Sequence, residues 1–337
     1  MKILISSHAF APNVGGIETV TELLAAEFVQ LGQLVKVVTQ TPSDDTEDRG
    51  YPVIRQPSVS ELVSAVRWCD LLWQNNLSLR TLWPDLLLRR PVVISHQGSY
   101  CRAPAGIALV ERLKHAVVRS TTSVAISKAV AACFNTDSTI IPNPYDVRRF
   151  SLDSSNEERP DDLVFLGRLV SEKGIDVLLK ALAKLRAHGL SPKLTIVGVG
   201  PEFTATEQLA EALKLNNQVT FAGLKRDEEL VILLRKHKVL VVPSRYDEPF
   251  GVVALEGIAC GCVVVGSAGG GLPEAIGPCG IIVPNGDAGA LAQALEQLLL
   301  NPNERKHLLS RAPEHLARFH PTTIAKTYLT LFHSKLS

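Results

Sequence analysis

The stretch VLVVPSRYDEPFGVVALEGIACG, residues 239–261, joins a strand pattern to a helix pattern through a short polar loop. Its first part is a run of branched apolar residues that stops at Pro243 and Ser244, which is typical of a buried parallel strand. The residues from Phe250 to Cys260 follow as a predicted helix. A strand, a loop and a helix in this order form the repeating unit of a parallel α/β sheet, and we therefore predict the α/β class.

The same alternation extends outward in both directions from this stretch. At 337 residues the chain exceeds what one hydrophobic core usually serves, so two domains are expected. Residues 143–161 are polar and flanked by prolines, which indicates a linker. We predict two doubly wound parallel sheets, whose ligands bind beyond the carboxyl ends of the strands in a cleft between the domains. The predicted strands are residues 2–7, 34–39, 70–74, 91–96, 122–126, 138–142, 162–167, 193–198, 219–223, 239–244, 263–267 and 280–284.

Composition excludes several classes of protein. The formal net charge of +1 argues against a nucleic-acid partner, which would need a broad basic face. No apolar run reaches the roughly 18 to 20 residues of a spanning helix, and the opening KILISS lacks a signal-peptide pattern, so a cytoplasmic protein is expected. The six cysteines include no CxxC pair, which predicts small core residues of a reducing compartment.

Two glutamates border the loop and helix of the first stretch. Backbone N–H groups of Phe250, Gly251 and Val252 at the helix start would form an anion site. Glu256, within the helix, suits the two hydroxyls of a ribose, and Glu248 suits the hydroxyls of a second sugar. The alternative is that Glu248 only complements the helix dipole and that Glu256 is a solvated surface charge.

Two cations follow the first strand of the second domain, in VFLGRLVSEKGIDVLLKAL. Arg168 and Lys173 lie on one strand-to-helix loop, and they suit a diphosphate because a guanidinium binds in a fork and an ammonium is a compact charge. In the alternative interpretation Arg168 pairs with Glu172 and Lys173 is only solvated.

The first domain offers glycines and a histidine at strand ends. Gly15 and Gly16 follow the first strand, where their backbone N–H groups could meet a ligand oxygen; the alternative is an ordinary turn. His96 ends a predicted buried strand and could hydrogen-bond a sugar hydroxyl, although a lone histidine is often structural. The glycines do not form the GxGxxG fingerprint, which disfavours a nicotinamide oxidoreductase.

The sequence contains neither a metal-binding pattern nor an obvious nucleophile. There is no HExxH, and the acidic loop SDDTED has no DxD pair, so we predict that the site uses no metal and no other cofactor. A GxSxG elbow is also missing. Stabilisation of the leaving group would therefore have to supply much of the catalysis.

Several motifs occur together in a fixed order: GRLVSEKG, VGVGPE, GLKRDEEL, PSRYDEPFGVVALEGIACG and GGGLPE. This set resembles the retaining glycosyltransferases of family 4, the glycosyl transferases group 1, over residues 162–286. PNVGGIE, His96 and IPNPYD extend the resemblance into the first half. It implies the GT-B fold, with two facing Rossmann-like domains: an acceptor-binding domain over residues 1–150 and a nucleotide-sugar-binding domain over residues 151–320. The helix at 321–337 is expected to pack back on the first domain.

The resemblance also implies roles for individual residues. The reaction would be metal-free transfer of a hexose such as glucose, with retention, from a UDP-sugar to a glycan or lipid-linked acceptor in polysaccharide or glycoconjugate synthesis. Catalysis would depend on Glu248, His96, Arg168 and Lys173. The nucleotide-sugar site would comprise Gly15, Gly16, Arg168, Lys173, Gly198, Leu224, Glu248, Phe250, Gly251, Val252 and Glu256.

Alternatives to this function remain at the level of sequence. A GDP-mannose-dependent mannosyltransferase would have the same motifs, because base choice depends on backbone and small side chains around residues 198–225. A non-catalytic nucleotide-sugar-binding subunit would keep the fold. Residues 78–128 contain eight lysines and arginines against two acidic residues, a net charge of +6 that predicts peripheral contact with an anionic membrane; a solvated basic face is the alternative.

Overall fold

The computed structural model describes residues 1–13, 15–43, 48–98, 109–133, 137–151 and 159–336. The chain divides into two compact units, one formed by Met1–Asp146 with Phe319–Ser337 and the other by Val147–Arg318. Each unit contains one parallel sheet with helices on its faces, which confirms the predicted α/β class.

The N-terminal unit is built on a sheet with the strand order β3-β2-β1-β4-β5-β6-β7. All its described pairings are parallel, and the order reverses between β1 and β4, which is the switch point of a doubly wound fold. Its strands are β1 Lys2–Ser7, β2 Leu34–Thr39, β3 Val53–Arg55, β4 Leu71–Asn75, β5 Val92–His96, β6 Thr122–Ala125 and β7 Ser138–Ile140. Its helices are α1 Gly16–Gln30, α2 Val59–Trp68, α3 Leu79–Leu82, α4 Asp85–Leu88, α5 Leu109–Ser120, α6 Lys128–Ala131 and, from the end of the chain, α15 Pro321–Leu336.

Both faces of this sheet are buried. Alternate residues of one strand point to opposite sides, so each strand can contribute to two cores. Ile3 and Ile5 of β1 lie in a core shared by α1 and α15, whereas Leu4 lies in a second core with α2. The terminal helix α15 contributes Tyr328 to the first core, where its hydroxyl lies 2.6 Å from the Ser95 Oγ. Residues from the end of the chain thus help to build the N-terminal unit.

The second unit repeats this arrangement with the order β10-β9-β8-β11-β12-β13, again with the reversal between its first and fourth strands. Leu163, Val239 and Val263 of three neighbouring strands belong to one core with α7 and α12. Its strands are β8 Asp161–Leu166, β9 Leu194–Val197, β10 Val219–Gly223, β11 His237–Val242, β12 Val263–Ser267 and β13 Gly280–Val283. Its helices are α7 Ile175–Ala187, α8 Phe203–Ala212, α9 Asp227–Lys236, α10 Val252–Ala259, α11 Leu272–Ile276, α12 Ala288–Leu300, α13 Pro302–Leu309 and α14 Ala312–Ala317, with 3-10 turns at Ser171–Lys173 and Gly277–Cys279.

Apart from β1, β2, β10 and β12, the predicted strands differ from those observed by one or two residues at one or both ends, and β11 is His237–Val242 where residues 239–244 were predicted. Three further details differ from the sequence analysis. The edge strand β3 was not predicted, because its three residues are too few for a period to be recognised. The helix after β11 begins at Val252 and not at Phe250. Four of the described cysteines are buried thiols, namely Cys69, Cys260, Cys262 and Cys279, but Cys133 is disulfide-bonded, which departs from the prediction for a reducing compartment.

Candidate functional site

The loops that follow β8 and β11 pack against each other at the switch point of the C-terminal sheet. The loop after β8 ends at Gly174, which has a φ of 67° and whose Cβ position would lie 2.0 Å from the Pro243 carbonyl oxygen. Only glycine fits this left-handed, close-packed position. The Arg245 N–H donates to the Glu172 carbonyl at 2.8 Å, so the two loops are also joined by their backbones.

This contact brings Lys173 and Glu248 together. The Lys173 ammonium lies 2.6 Å from Glu248 Oε1, and it also donates to the Tyr246 hydroxyl at 3.3 Å. Ser244 donates to Glu248 Oε1 and Tyr246 donates to Oε2, each at 2.6 Å. Lys173 is therefore not simply a solvated charge, and Glu248 is not only a helix-dipole partner. We refer to Lys173, Ser244, Tyr246 and Glu248 as the Glu248 cluster.

Glu248 is almost completely buried, with 5% of its surface exposed. A buried carboxylate requires a cation and hydrogen-bond donors to offset the loss of hydration, and the cluster supplies both. Its backbone is fixed separately: Glu248 forms a parallel bridge with Gly270, and its carbonyl accepts the Gly271 N–H at 2.7 Å. The position of the main chain thus does not depend on the side-chain hydrogen bonds.

Tyr246 is held as a neutral hydrogen-bond donor. Burial raises the pKa of its hydroxyl strongly, and the negative charge of Glu248 raises it further, whereas Arg168 acts in the opposite direction. The Lys173 Nζ lies 5.3 Å from the centre of the Tyr246 ring, within the range of a cation–π contact. The aromatic ring is half-buried, so the cluster reaches the surface at this residue.

Arg168 follows β8 after Gly167, and it is exposed. In the part of the chain that the structure describes, it forms no ion pair with Glu172, contrary to the alternative interpretation. The neighbouring Arg245 instead pairs with Asp176, which also pairs with Lys180. Arg168 lies close enough to the Glu248 cluster for its charge to act on the Tyr246 hydroxyl, and it is exposed to solvent.

The helix after β11 begins in a different way from that predicted. Gly251 is the N-cap residue of α10, with a φ of 103°, and a Cβ atom there would lie 2.6 Å from Leu272 Cδ1. Phe250 is 2% exposed, so its side chain belongs to the core and only its backbone is a candidate for ligand contact. Val252 opens the helix, and Glu256 lies about one turn later and is half-buried.

Gly198 and Leu224 follow the next two strands, β9 and β10. Gly198 has a φ of 142°, its Cβ position would lie 1.9 Å from the Gly167 carbonyl oxygen, and its N–H donates to the Gly223 carbonyl at 2.8 Å. Leu224 and Val199, which follow Gly223 and Gly198 in the chain, are each 53% exposed. The carboxyl edge of these strands therefore presents backbone and two apolar side chains to solvent.

The remaining predicted residues lie in the N-terminal unit, at the carboxyl ends of its strands. Gly15 is the N-cap of α1 and Gly16 its first residue, with open space around the Gly16 Cβ position. A buried hydrogen bond of 2.7 Å from Asn75 to the Thr21 hydroxyl ties α1 to the end of β4.

His96 ends β5 as predicted and is fully buried, with Nε2 3.3 Å from the Ser123 Oγ. Burial lowers the pKa of His96 to about 4, which keeps its imidazole neutral near pH 7.

Sequence reasoning thus identified Arg168, Lys173, Glu248 and Glu256 as one group, and the structure joins Lys173 directly to Glu248. It missed Ser244 and Tyr246, which hold the Glu248 carboxylate. Their signal was present, since both are hydroxyl residues within four positions of Glu248 in the same loop. In the described ranges, no three or more histidine, cysteine, aspartate or glutamate side chains converge as a metal site would require.

A family model described as glycosyl transferases group 1 matches residues 147–315, half of the chain. The chain belongs to this family. That confirms the family predicted from the motifs.

Among curated relatives, the D-inositol 3-phosphate glycosyltransferase of Corynebacterium jeikeium is 36% identical over 200 residues, which cover 53% of this chain and 48% of the relative. The chain thus matches about half the length of that protein. The GDP-mannose-dependent alpha-(1-6)-phosphatidylinositol monomannoside mannosyltransferase of Mycolicibacterium smegmatis is 27% identical over 89% of this chain and 90% of the relative.

Solved structures support the fold assignment of this chain. Anabaena HepE in complex with UDP superimposes with a TM-score of 0.83 at 22% identity, over 99% of this chain and 100% of that one. Sucrose-phosphate synthase of Thermosynechococcus elongatus gives 0.79 at 24% identity, over 99% and 98%. The two Rossmann-like sheets are thus those of the GT-B fold. No helix among the described residues is both long and apolar enough to cross a membrane.

Proposed function

We propose that this protein is a glycosyltransferase that moves a hexose, glucose or a close relative, from a UDP-sugar to a glycan or lipid-linked acceptor, with retention and without a metal. The observation that supports this most directly is the Glu248 cluster with Arg168 beside it, at the switch point of a nucleotide-binding type of sheet. Lys173, a cation for the diphosphate, and Glu248, a buried carboxylate for sugar hydroxyls, occur there within one hydrogen-bond network.

The diphosphate is assigned to Arg168 and Lys173. The guanidinium of Arg168 is exposed and can bind two phosphate oxygens in a fork. The Lys173 ammonium has three N–H donors, of which Glu248 and Tyr246 accept two. The third can be donated to a phosphate oxygen without breaking the pair with Glu248.

The nucleoside is assigned to α10 and to the ends of β9 and β10. Glu256 would accept hydrogen bonds from the ribose hydroxyls, while the backbone of Phe250, Gly251 and Val252 would contact sugar and phosphate. A flat base would rest against the backbone of Gly198 and the exposed Leu224.

In the N-terminal unit, the resemblance assigns the β-phosphate to the backbone of Gly16, with Gly15 beside it in the nucleotide-sugar site, and the donor sugar to His96. A neutral imidazole can both donate to and accept from a hydroxyl, and the lowered pKa of His96 favours that form. The reaction itself would be attack by the acceptor on the same face as the leaving diphosphate, with a phosphate oxygen taking the acceptor proton. Arg168 and Lys173 would stabilise the charge that develops on the diphosphate.

One comparison supports GDP-mannose as an alternative donor. The Mycolicibacterium smegmatis relative, whose name specifies GDP-mannose, aligns over 89% of this chain, whereas HepE, solved with UDP and with UDP-glucose, is 22% and 20% identical. A GDP-mannose-dependent mannosyltransferase is therefore the main alternative. A non-catalytic subunit is disfavoured by the complete Glu248 cluster, since a site released from catalysis has no need of a buried ion pair.

We also propose a cytoplasmic location, with peripheral contact between the basic stretch 78–128 and an anionic membrane. Helix α5 would dock there through Lys114 and Arg119; the side chain of Arg112 and the whole of Arg102 lie outside the described residues. Exchange of Arg112, Lys114 and Arg119 for glutamate should abolish binding to anionic liposomes. Wild-type protein that does not bind such liposomes would refute this docking.

The donor assignment is tested by calorimetry of UDP, GDP and NAD with the wild-type protein and the Arg168→Ala variant in EDTA. Binding of UDP that is lost in the variant supports a UDP-sugar site, and a preference for GDP moves the assignment to mannose transfer. Release of UDP from UDP-glucose, followed by NMR of the anomeric proton in the product, then tests transfer and retention. Binding of none of the nucleotides would refute the proposed function.

A further inference from the structure

The hydrogen bonds of the Glu248 cluster occupy most of the carboxylate. Each carboxylate oxygen accepts about two hydrogen bonds. Oε1 accepts one from Lys173 and one from Ser244, whereas Oε2 accepts one from Tyr246, all at 2.6 Å. One acceptor position therefore remains, and it is on the oxygen that Tyr246 holds.

Tyr246 is also the only described side chain that hydrogen-bonds both charged members of the cluster. Its hydroxyl donates to Glu248 and accepts from Lys173 at 3.3 Å. These are the two groups to which different parts of the donor, the hexose and the diphosphate, are assigned. The Tyr246 hydroxyl makes its shorter hydrogen bond with the carboxylate, at 2.6 Å, whereas the ammonium is held mainly by its direct contact with Glu248 Oε1.

Because the Glu248 main chain is fixed by Gly270 and Gly271, loss of the Tyr246 hydroxyl would leave the loop in place. The carboxylate, however, would lose the hydrogen bond that restrains Oε2 and would be held only at Oε1, by Lys173 and Ser244, so that Oε2 could swing about its last torsion. A rotation of this kind turns the plane of the carboxylate, so that the remaining acceptor position on Oε2 points away from the ligand, without unfolding the site. Misorientation of a single acceptor in this manner is sufficient to slow a reaction that depends on near-attack geometry.

We propose that Tyr246 is a positioning residue for sugar transfer, whose hydroxyl orients Glu248 so that Oε2 accepts a hydrogen bond from one hydroxyl of the donor hexose. This inference rests on the proposed function of the site. Tyr246 acts through Glu248 and need not touch the substrate. A variant that lacks the Tyr246 hydroxyl should therefore bind the nucleotide normally but transfer the sugar poorly.

The test compares Tyr246→Phe with Tyr328→Phe as a matched control. Both exchanges remove one tyrosine hydroxyl with a 2.6 Å hydrogen bond, but that of Tyr328 is with Ser95 in the N-terminal core. For the donor that the wild type turns over, UDP-glucose first and GDP-mannose second, kcat/KM of Tyr246→Phe should fall about tenfold or more. The Kd of UDP (or GDP) should stay within about twofold, and Tyr328→Phe should retain wild-type kinetics.

A double-mutant cycle identifies the route of the effect. If Tyr246 acts through Glu248, the Tyr246→Phe exchange should have little further effect on kcat/KM in a Glu248→Gln background. Should Tyr246→Phe prove unstable in thermal unfolding, Ser244→Ala, which removes the donor to Oε1, should produce the same split between nucleotide affinity and turnover.

The outcomes distinguish this inference from the proposed function. A wild-type protein that neither binds nor turns over either nucleotide sugar overturns the proposed function, and the role of Tyr246 with it. An active wild type with an equally active Tyr246→Phe variant overturns only the inference. Fully additive effects of Tyr246→Phe and Glu248→Gln would also overturn it.

Discussion

Lys173 Nζ and Glu248 Oε1 lie 2.6 Å apart, although 75 positions separate the two residues in the chain. They meet because β8 and β11 are neighbours in the sheet, so the loops that follow these strands leave from the same edge. The cation proposed for the diphosphate and the carboxylate proposed for the sugar therefore belong to one hydrogen-bond network. A change at either residue is expected to affect the other.

The exchange Glu248→Gln should separate nucleotide binding from transfer. It removes one negative charge next to Lys173 while keeping the shape of the side chain, so the affinity for UDP should be unchanged or a few-fold higher. Sugar transfer should fall about 10- to 100-fold, because a hydrogen bond to a charged acceptor contributes about 1.5–3 kcal/mol. Calorimetry and a UDP-release assay measure the two effects, and loss of UDP affinity in this variant would contradict the assignment of Glu248 to the sugar.

Glu256→Ala, in contrast, should weaken the binding of the nucleotide itself. Loss of the carboxylate assigned to the ribose should raise the Kd of UDP about 10- to 100-fold, by the same magnitude for a charged hydrogen bond. Glu228→Ala, at an exposed position in the first turn of α9, removes the same charge and serves as the control. If both variants bound UDP like the wild type, Glu256 would have no role in the nucleotide site.

Much of the fold and part of the site were predictable because their signals are local. The apolar runs of β1, β2, β10 and β12 are bounded by polar or glycine residues, and those strands were predicted to the residue. Strand β3 was not predicted because it has only three residues and all three are half-buried, so its sequence shows no alternation of apolar and polar side chains. The type of an element follows from the periodicity of its sequence, but a short edge strand forms because it hydrogen-bonds to the neighbouring strand, here β2.

The hydrogen bonds of the site could not be predicted in the same way. The sequence places Glu248 in a loop and Lys173 in another, but their pairing requires the strand order and the close approach at Gly174. The start of α10 at Val252 likewise depends on Leu272, which closes the space beside Gly251. Contacts between distant loops are tertiary properties, and no local pattern encodes them.

Gly198→Ala should destabilise the C-terminal unit and weaken nucleotide binding. The φ of 142° disfavours any Cβ, and this one would lie 1.9 Å from the Gly167 carbonyl oxygen, so the backbone would have to move. We expect a cost of several kcal/mol, from about 1–3 kcal/mol of backbone strain together with overpacking. Gly189→Ala is the matched control, since Gly189 also has a positive φ, 85°, but open space around its Cβ position.

Thermal unfolding should therefore rank the variants in the order wild type, Gly189→Ala, Gly198→Ala. The control should lose only about 1 kcal/mol, the cost of a left-handed conformation for alanine. Equal midpoints for the two variants would indicate that the loop after β9 relaxes easily. Such a loop would be a poor platform for a nucleobase, and the assignment of Gly198 to the nucleotide site would lose its support.

Stability should decrease in mild acid, and His96 should account for part of this decrease. Burial lowers the pKa of His96 from its ordinary 6.5 to about 4, so between these values the unfolded chain binds a proton that the folded protein does not. The stabilisation is thus complete above pH 6.5 and is lost as the pH falls towards about 4. At 1.36 kcal/mol for each pKa unit, the total is about 3 kcal/mol.

The exchange His96→Asn isolates this contribution, because an amide side chain does not titrate. The variant should be less stable than the wild type at pH 7, where the hydrogen bond between His96 and Ser123 is lost, but its midpoint of thermal unfolding should fall less steeply below pH 6.5. Burial lowers the pKa of His237 and of His315 as well, so a residual slope of the same sign should persist. Parallel curves for the two proteins would mean that His96 binds its proton in the folded state as readily as in the unfolded chain, and its proposed role as a neutral partner of a sugar hydroxyl would then be untenable.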